Sequence, residues 1–320
     1  MSLTWKNYRL DTCIFEPATV QAPLLSTGLS AAGLPQRVDL RPLCSPVENQ
    51  GKVGSCAANA VVGAMEYHQR RVGLPITDLS RLFVYYNARN MADKAQEDCG
   101  TLISHVMASV LAFGACEERM WPYQENMWPE KPTAASYQNA LRYEAVSYAR
   151  APLGDTCLVA LAQGLPIVFG TFVPSEFYDI ADKTGSMPDT REAGQNPGGG
   201  HAMLLVGYDL ATRTWLVRNS WGEGFAERGY FRIPFNTLQA YSPPDGFWTI
   251  GAIEQAEGLN RAGATVRDSM RSLSQTAASD LESSLDRMRK NLRARLNADL
   301  DAAKQGFRDR LRGPGVGGGY

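Results

Sequence analysis

The feature that most constrains the fold is a change of texture near Pro152 in a chain of 320 residues. Before it, apolar residues recur at helical spacing. The run AANAVVGAMEYHQRR puts Ala60, Ala64 and Tyr67 on one face with Val61 beside them, and Gly73-Leu74-Pro75 stops it. Residues 79–90 read as a second helix and 102–113, closed by Gly114, as a third. After Pro152 come short continuous apolar runs: LPIVFGTFV (165–173), HAMLLVGYDL (201–210), WLVRNS (215–220) and GYFRIP (229–234). These read as buried strands, with Thr212-Arg213 at a hairpin turn. A polar, Gly/Pro-rich loop over 182–200 ends in Gly198-Gly199-Gly200. Helices first and strands later predict an α+β fold of two lobes with a cleft between them.

Composition removes several function classes. A net charge of −1 argues against a chain-wide nucleic-acid footprint. No stretch approaches the roughly 20 apolar residues that a membrane-spanning helix needs. The N-terminus MSLTWKNYRLDTCIFEP has no apolar run of signal-peptide length, so the expectation is a cytoplasmic protein, or one exported without a cleavable signal. The six cysteines, at 13, 44, 56, 99, 116 and 157, contain no CxxC pair and no metal-ligand rhythm. With histidine only at 68, 105 and 201, no metal or other cofactor is expected. Most of the cysteines read as reduced and apolar.

Cys56 stands apart. In PVENQGKVGSCAANA it begins a helix, where backbone N–H groups and the helix dipole favour an anion and lower a thiol's pKa. The ordinary alternative, a buried inert cysteine, is weakened by Gln50 six residues upstream and the tight Gly51 and Gly54. Two further segments carry candidates. His201 opens an apolar strand directly after three glycines, and in WLVRNSWGEGF Asn219 ends a strand two residues before Trp221. A core histidine and a turn-initiating asparagine are the plain readings of these two residues alone.

Together, LPQRVDLRP, PVENQG-x-x-GSC, WPY (121–123), HAMLLVGY and WLVRNSWGEGFAERGYFRI resemble the papain family of cysteine peptidases, over roughly 34–255. His201 and Asn219 follow Cys56 by 145 and 163 residues; the second exceeds the 130–150 typical of papain-like enzymes, which extra hairpin length would explain. The resemblance implies a helical lobe and a β-barrel-like lobe flanking the active-site cleft, and a thiol endopeptidase with polypeptide substrates. It makes Cys56 the nucleophile, His201 its acid/base partner and Asn219 the orienting residue under Trp221. Gln50 and the Cys56 N–H then form the oxyanion hole. Gly100 and Thr101 fall where the family pairs with an extended substrate. Leu102, Ile103 and Ala202 line the pocket for the second residue before the cut, giving an apolar preference, with Gly200 at the rim. Other thiol acyl transfer, as in a transpeptidase or deamidase, uses the same residues, and a catalytically silent binding fold is a third reading.

The chain departs from the family pattern at Val53, where a cysteine is usual, at Ala57, where an aromatic is usual, and at Gly200, where an Asp is common. The family's Cys-Asn-Gly-Gly stretch is reduced to Asp98-Cys99-Gly100-Thr101. Three regions are expected: 1–33 as an N-terminal strap or short prosegment, 34–257 as the peptidase domain, and 258–320 as a basic tail. Part of 8–25 either covers the cleft or packs on the surface. In the tail, Val266, Met270, Leu273, Ala277 and their successors step by 3 or 4 residues to Leu311, with 12 basic and 7 acidic residues, before a GPGVGGGY terminus. It reads as a helix that binds a partner or an anionic membrane surface, or as a solvated appendage.

Overall fold

The computed structural model describes residues 4–14, 23–25, 33–194, 198–244 and 246–255. The tail expected over 258–320 and the rest of the N-terminal segment lie outside these residues. In chain order the elements are β1 (Thr4–Trp5), β2 (Tyr8–Arg9), β3 (Cys13–Ile14), β4 (Arg37–Asp39), α1 (Cys56–Arg71) and α2 (Arg81–Asn90). Then come β5 (Thr101–Leu102), α3 (Ile103–Ala112), α4 (Ala134–Ala140), β6 (Tyr143–Arg150), α5 (Asp155–Ala162) and β7 (Ile167–Thr171). The remainder is α6 (Ser175–Thr184), β8 (His201–Asp209), β9 (Thr214–Arg218), β10 (Tyr230–Pro234), α7 (Phe235–Tyr241) and β11 (Phe247–Gln255).

The three helices expected from periodicity form within a residue or two of their reading, and α2 is capped by Ser80 Oγ, which accepts from Phe83 N at 3.1 Å. α1 is buried from Cys56 to Gln69. Its small residues allow that: Ala57, Ala58, Ala60 and Ala64 let the sheet come close, and a side chain on Gly63 would meet Arg218 Nε at 3.3 Å. Arg218 is itself buried, donating to Ser45 O, Ser45 Oγ and Pro46 O. The stretch before the nucleophile helix is thereby tied to β9.

The strand-rich part is a seven-stranded sheet in the order β10-β9-β8-β7-β11-β6, with β4 added to β8, and every pair is antiparallel. β8 is buried without interruption from His201 to Tyr208 because both its faces are covered, which is why it reads as an apolar run and not as an alternation. The hairpin between β8 and β9 turns through Arg213 in the left-handed region, φ 54°. Several features differ from the expectation: α4, α5 and α7 had no counterpart in the sequence reading, and α5, α6 and α7 fall after Pro152, where strands were expected. α6 extends through Thr184, so the supposed loop begins with a helical turn that Gly185 ends at φ 75°. Strands β6 and β11, which pair with each other, had no counterpart in the sequence reading.

Candidate active site

Cys56 sits at the first position of α1 and is fully buried. Ala202 N donates to its Sγ at 3.4 Å, bringing β8 onto the helix start. Next to Ala202, His201 Nε2 lies 2.9 Å from Asn219 Oδ1. The same Oδ1 accepts from Ser220 N, and because a backbone N–H only donates, the amide orientation is fixed. The imidazole therefore carries its proton on Nε2, leaving Nδ1, which has no hydrogen-bond partner among the described residues. Trp221 stacks on the imidazole, centroids 4.9 Å apart and planes at 25°. Gln50 is held by Ser220, whose Oγ donates to its Oε1, and by Val53 O, which accepts from its Nε2 at 3.0 Å. The structure thus brings Gln50, Cys56, His201, Asn219 and Trp221 to one place.

The expected substrate-binding residues lie beside them, but they contact the chain's own N-terminal segment. Residues 10–14 run across the helix start. Gly200 O accepts from Thr12 N at 3.2 Å and Cys13 N at 3.0 Å, and Thr101 N donates to Thr12 O at 3.1 Å. β3 pairs parallel with β5, Cys13 against Thr101 and Ile14 against Leu102. Two glycines make this approach feasible: a Cβ on Gly100, whose φ is +76°, would lie 1.9 Å from Thr12 O, and one on Gly199 as close to Leu10 O. Ile103 and Ala202 are buried and Leu102 half-buried. Thr12 Oγ1 reaches Cys56 Sγ at 3.3 Å.

The preceding hairpin clamps this segment down. Trp5 and Tyr8 both stack on Trp221, at 4.8 Å and 4.9 Å between centroids. Trp5 Nε1 donates to Asp179 Oδ1, Tyr8 OH to Trp221 O, and Lys6 pairs with Asp182. On the opposite wall, Arg9 Nη1 donates to Asp98 O and Oδ2. Asp98 Oδ1 accepts from Gly54 N and Tyr85 OH, fixing the loop before β5 against the approach to α1.

One expectation is corrected. The helix start was expected to lower the thiol's pKa; here burial pushes it up, outweighing the favourable bonds from Thr12, Ala202 N and the helix's own first N–H groups. Burial likewise holds His201 down, to about 4, against the opposing bond from Asn219. With the segment in place burial holds both the thiol and the imidazole neutral, and the groups bonded to sulfur are the Thr12 hydroxyl and Ala202 N. Sequence reasoning also missed Ser220, Ser55, Tyr123 and Asn59. All four stand inside or beside the quoted motifs, but Ser220 and Tyr123 meet Gln50 across 170 and 73 residues of chain, and the Ser55–Tyr123 contact spans 68. Among the described residues the six cysteines form no disulfide.

Comparisons with known proteins identify the family. Residues 34–241 match the sequence profile described as papain family cysteine protease. An uncharacterised peptidase C1-like protein of Acanthamoeba polyphaga mimivirus is 31% identical over 259 residues, covering 74% of this chain and 81% of that one. A viral cathepsin of Antheraea pernyi nuclear polyhedrosis virus is 26% identical, over 59% of this chain and 56% of its own length. Among solved structures, xylellain, a cysteine protease from Xylella fastidiosa, superposes with a TM-score of 0.67 at 29% identity, covering 79% of this chain and 98% of xylellain. The chain therefore belongs to the papain family of cysteine proteases.

Proposed function

We propose that this chain is a thiol endopeptidase kept latent by its own residues 4–14. The observation that carries the catalytic part is the fixed tautomer of His201. With Nε2–H committed to Asn219, Nδ1 is the atom available to exchange a proton with Cys56. When the cleft is open, Nδ1 takes the thiol proton and the thiolate attacks the scissile carbonyl. The negative charge that forms on the carbonyl oxygen is met by Gln50 Nε2 and the Cys56 N–H. Nδ1–H then protonates the leaving amine, and water, deprotonated by the same nitrogen, releases the acyl group from sulfur.

Gly100, Thr101 and Gly200 serve in this reading as main-chain partners for an extended polypeptide, the role that residues 12–14 occupy here. The parallel pairing of β3 supports latency over turnover of the segment. Thr12 presents a side-chain hydroxyl to sulfur where a substrate would present a carbonyl carbon. Leu102, Ile103 and Ala202 give the neighbouring pocket an apolar wall and an expected preference for an apolar side chain.

The test is cleavage of a fluorogenic peptide library, and labelling by an epoxide thiol inhibitor, with the full-length chain carrying Trp5→Ala and Tyr8→Ala to free the cleft, and with the same chain carrying Cys56→Ala as well. Cys56→Ala is expected to abolish both; cleavage that survives the substitution would sink the assignment.

A further inference from the structure

Behind the catalytic residues lies a cavity of about 10 Å³, room for one water, lined by Asn59, Ala202, Leu204, Arg218, Asn219 and Ser220 among others. Two of these are buried asparagines with one amide atom left over, Asn59 Oδ1 and Asn219 Nδ2, neither bonded to anything among the described residues. Their identities follow from neighbours that have only one role. Asn59 faces the carbonyl Ser55 O, an acceptor, with Nδ2 at 3.0 Å, so the remaining atom is the oxygen. Asn219 faces Ser220 N, a donor, with Oδ1, so the remaining atom is the nitrogen. One residue offers an acceptor and the other a donor, and a buried polar atom left unpaired loses its hydration without compensation.

We propose that one ordered water occupies this cavity, accepting from Asn219 Nδ2 and donating to Asn59 Oδ1, and that Asn59 is thereby a positioning residue for the catalytic pair. The bonds beyond Asn59 continue in the same sense. Asn59 Nδ2 donates to Ser55 Oγ at 3.1 Å, Ser55 Oγ lies 2.7 Å from Tyr123 OH, and Tyr123 OH donates to Gln50 O at 2.8 Å. Because the Tyr123 hydrogen is committed to Gln50 O, Ser55 is the donor of that pair. From His201 Nε2–H through Asn219, the water, Asn59, Ser55 and Tyr123 to the Gln50 carbonyl, every donor points the same way. Bonds aligned head to tail strengthen one another. Their acceptor end faces His201, so the chain favours the imidazolium, the form that must arise when Cys56 loses its proton.

Two experiments decide this. In the unsubstituted full-length chain, a high-resolution crystal structure is expected to show density for a water within hydrogen-bond distance of Asn59 Oδ1 and Asn219 Nδ2. A dry cavity, or a direct contact between the two amides, overturns the inference whether or not any variant folds. The second compares Asn59→Leu with Asn59 in full-length chains that also carry Trp5→Ala and Tyr8→Ala to free the cleft. The expected result is a kcat lowered about tenfold, KM unchanged, and the alkaline limb of the kcat/KM profile moved to lower pH. If the Asn59→Leu chain keeps kcat and both limbs of the Asn59 chain, the positioning role is overturned. The kinetic arm rests on the peptidase reading; a chain that cleaves nothing even with Asn59 sinks that reading, while the density alone then judges the water.

Discussion

Gln50 has one amide hydrogen left to use. Its Oε1 accepts from Ser220 Oγ and its Nε2 donates once, to Val53 O, so the second Nε2 hydrogen is aimed without freedom to rotate. Preorganisation of this kind is what makes a donor effective at a developing oxyanion. Gln50→Ala is expected to lower kcat about 100–1000-fold while KM changes little. Steady-state kinetics on the full-length chain with its cleft freed checks this, and an unchanged kcat removes Gln50 from the oxyanion role. Gln50, Cys56, His201 and Asn219 were legible in the sequence because each lies in a short contiguous motif whose residue types state their chemistry. Ser220 and Asn59 were not. Ser220 meets its partner across 170 residues of chain, and Asn59 reads as one more turn of a small-residue helix until its unpaired oxygen is seen.

The hairpin of β1 and β2 is short, yet on the proposed reading it holds the covering segment in place. Its Lys6–Asp182 ion pair is half exposed on the lysine side, and such pairs contribute about 0–1 kcal/mol. Each aromatic stack on Trp221 adds about 0.5–1.5 kcal/mol beyond the area it buries, and Trp5 is 4% exposed. The aromatic clamp therefore outweighs the ionic one. Trp5→Ala with Tyr8→Ala is expected to raise peptide cleavage and Cys56 alkylation in the full-length chain, whereas Lys6→Ala changes either less than about twofold. Equal alkylation rates in all three chains would count against the clamp. No local pattern announces this contact, since Trp5 and Trp221 lie far apart in the chain. The elements missed by reading periodicity have similar causes. β11 shifts register around Gly251, which breaks its alternation, and the polar residues at the end of α6 are the solvent face of an amphipathic helix, with Asp182 turned to Lys6 and Ala226 N.

For the molecule as a whole, acid should work against the covered state. Burial holds His201 at about 4, below its ordinary value near 6.5, so a state in which the imidazole is more exposed to water binds the proton more tightly. To the extent that the segment supplies this burial, the covered state is most stable above about 6.5 and loses stability as the pH drops towards 4. The other charged groups along the segment are Lys6, Arg9, Asp11, Asp98, Asp179 and Asp182. The Lys6 partner Asp182 is held below its ordinary 3.8, so its contribution is lost only at still lower pH and does not set this window. Near-ultraviolet circular dichroism of the stacked Trp5 and Trp221, recorded from about pH 7 to 4, should lose intensity together with a rise in Cys56 alkylation; a spectrum constant over that range contradicts an acid-weakened cover. One consequence follows from the blocking residues belonging to the same chain. On the proposed reading residues 4–14 are a tethered inhibitor, whose effective concentration dilution cannot lower, so latency would persist in the most dilute solution. A substrate then meets only the uncovered fraction of molecules, and its apparent affinity is weakened by that fraction, whatever its intrinsic fit to the cleft.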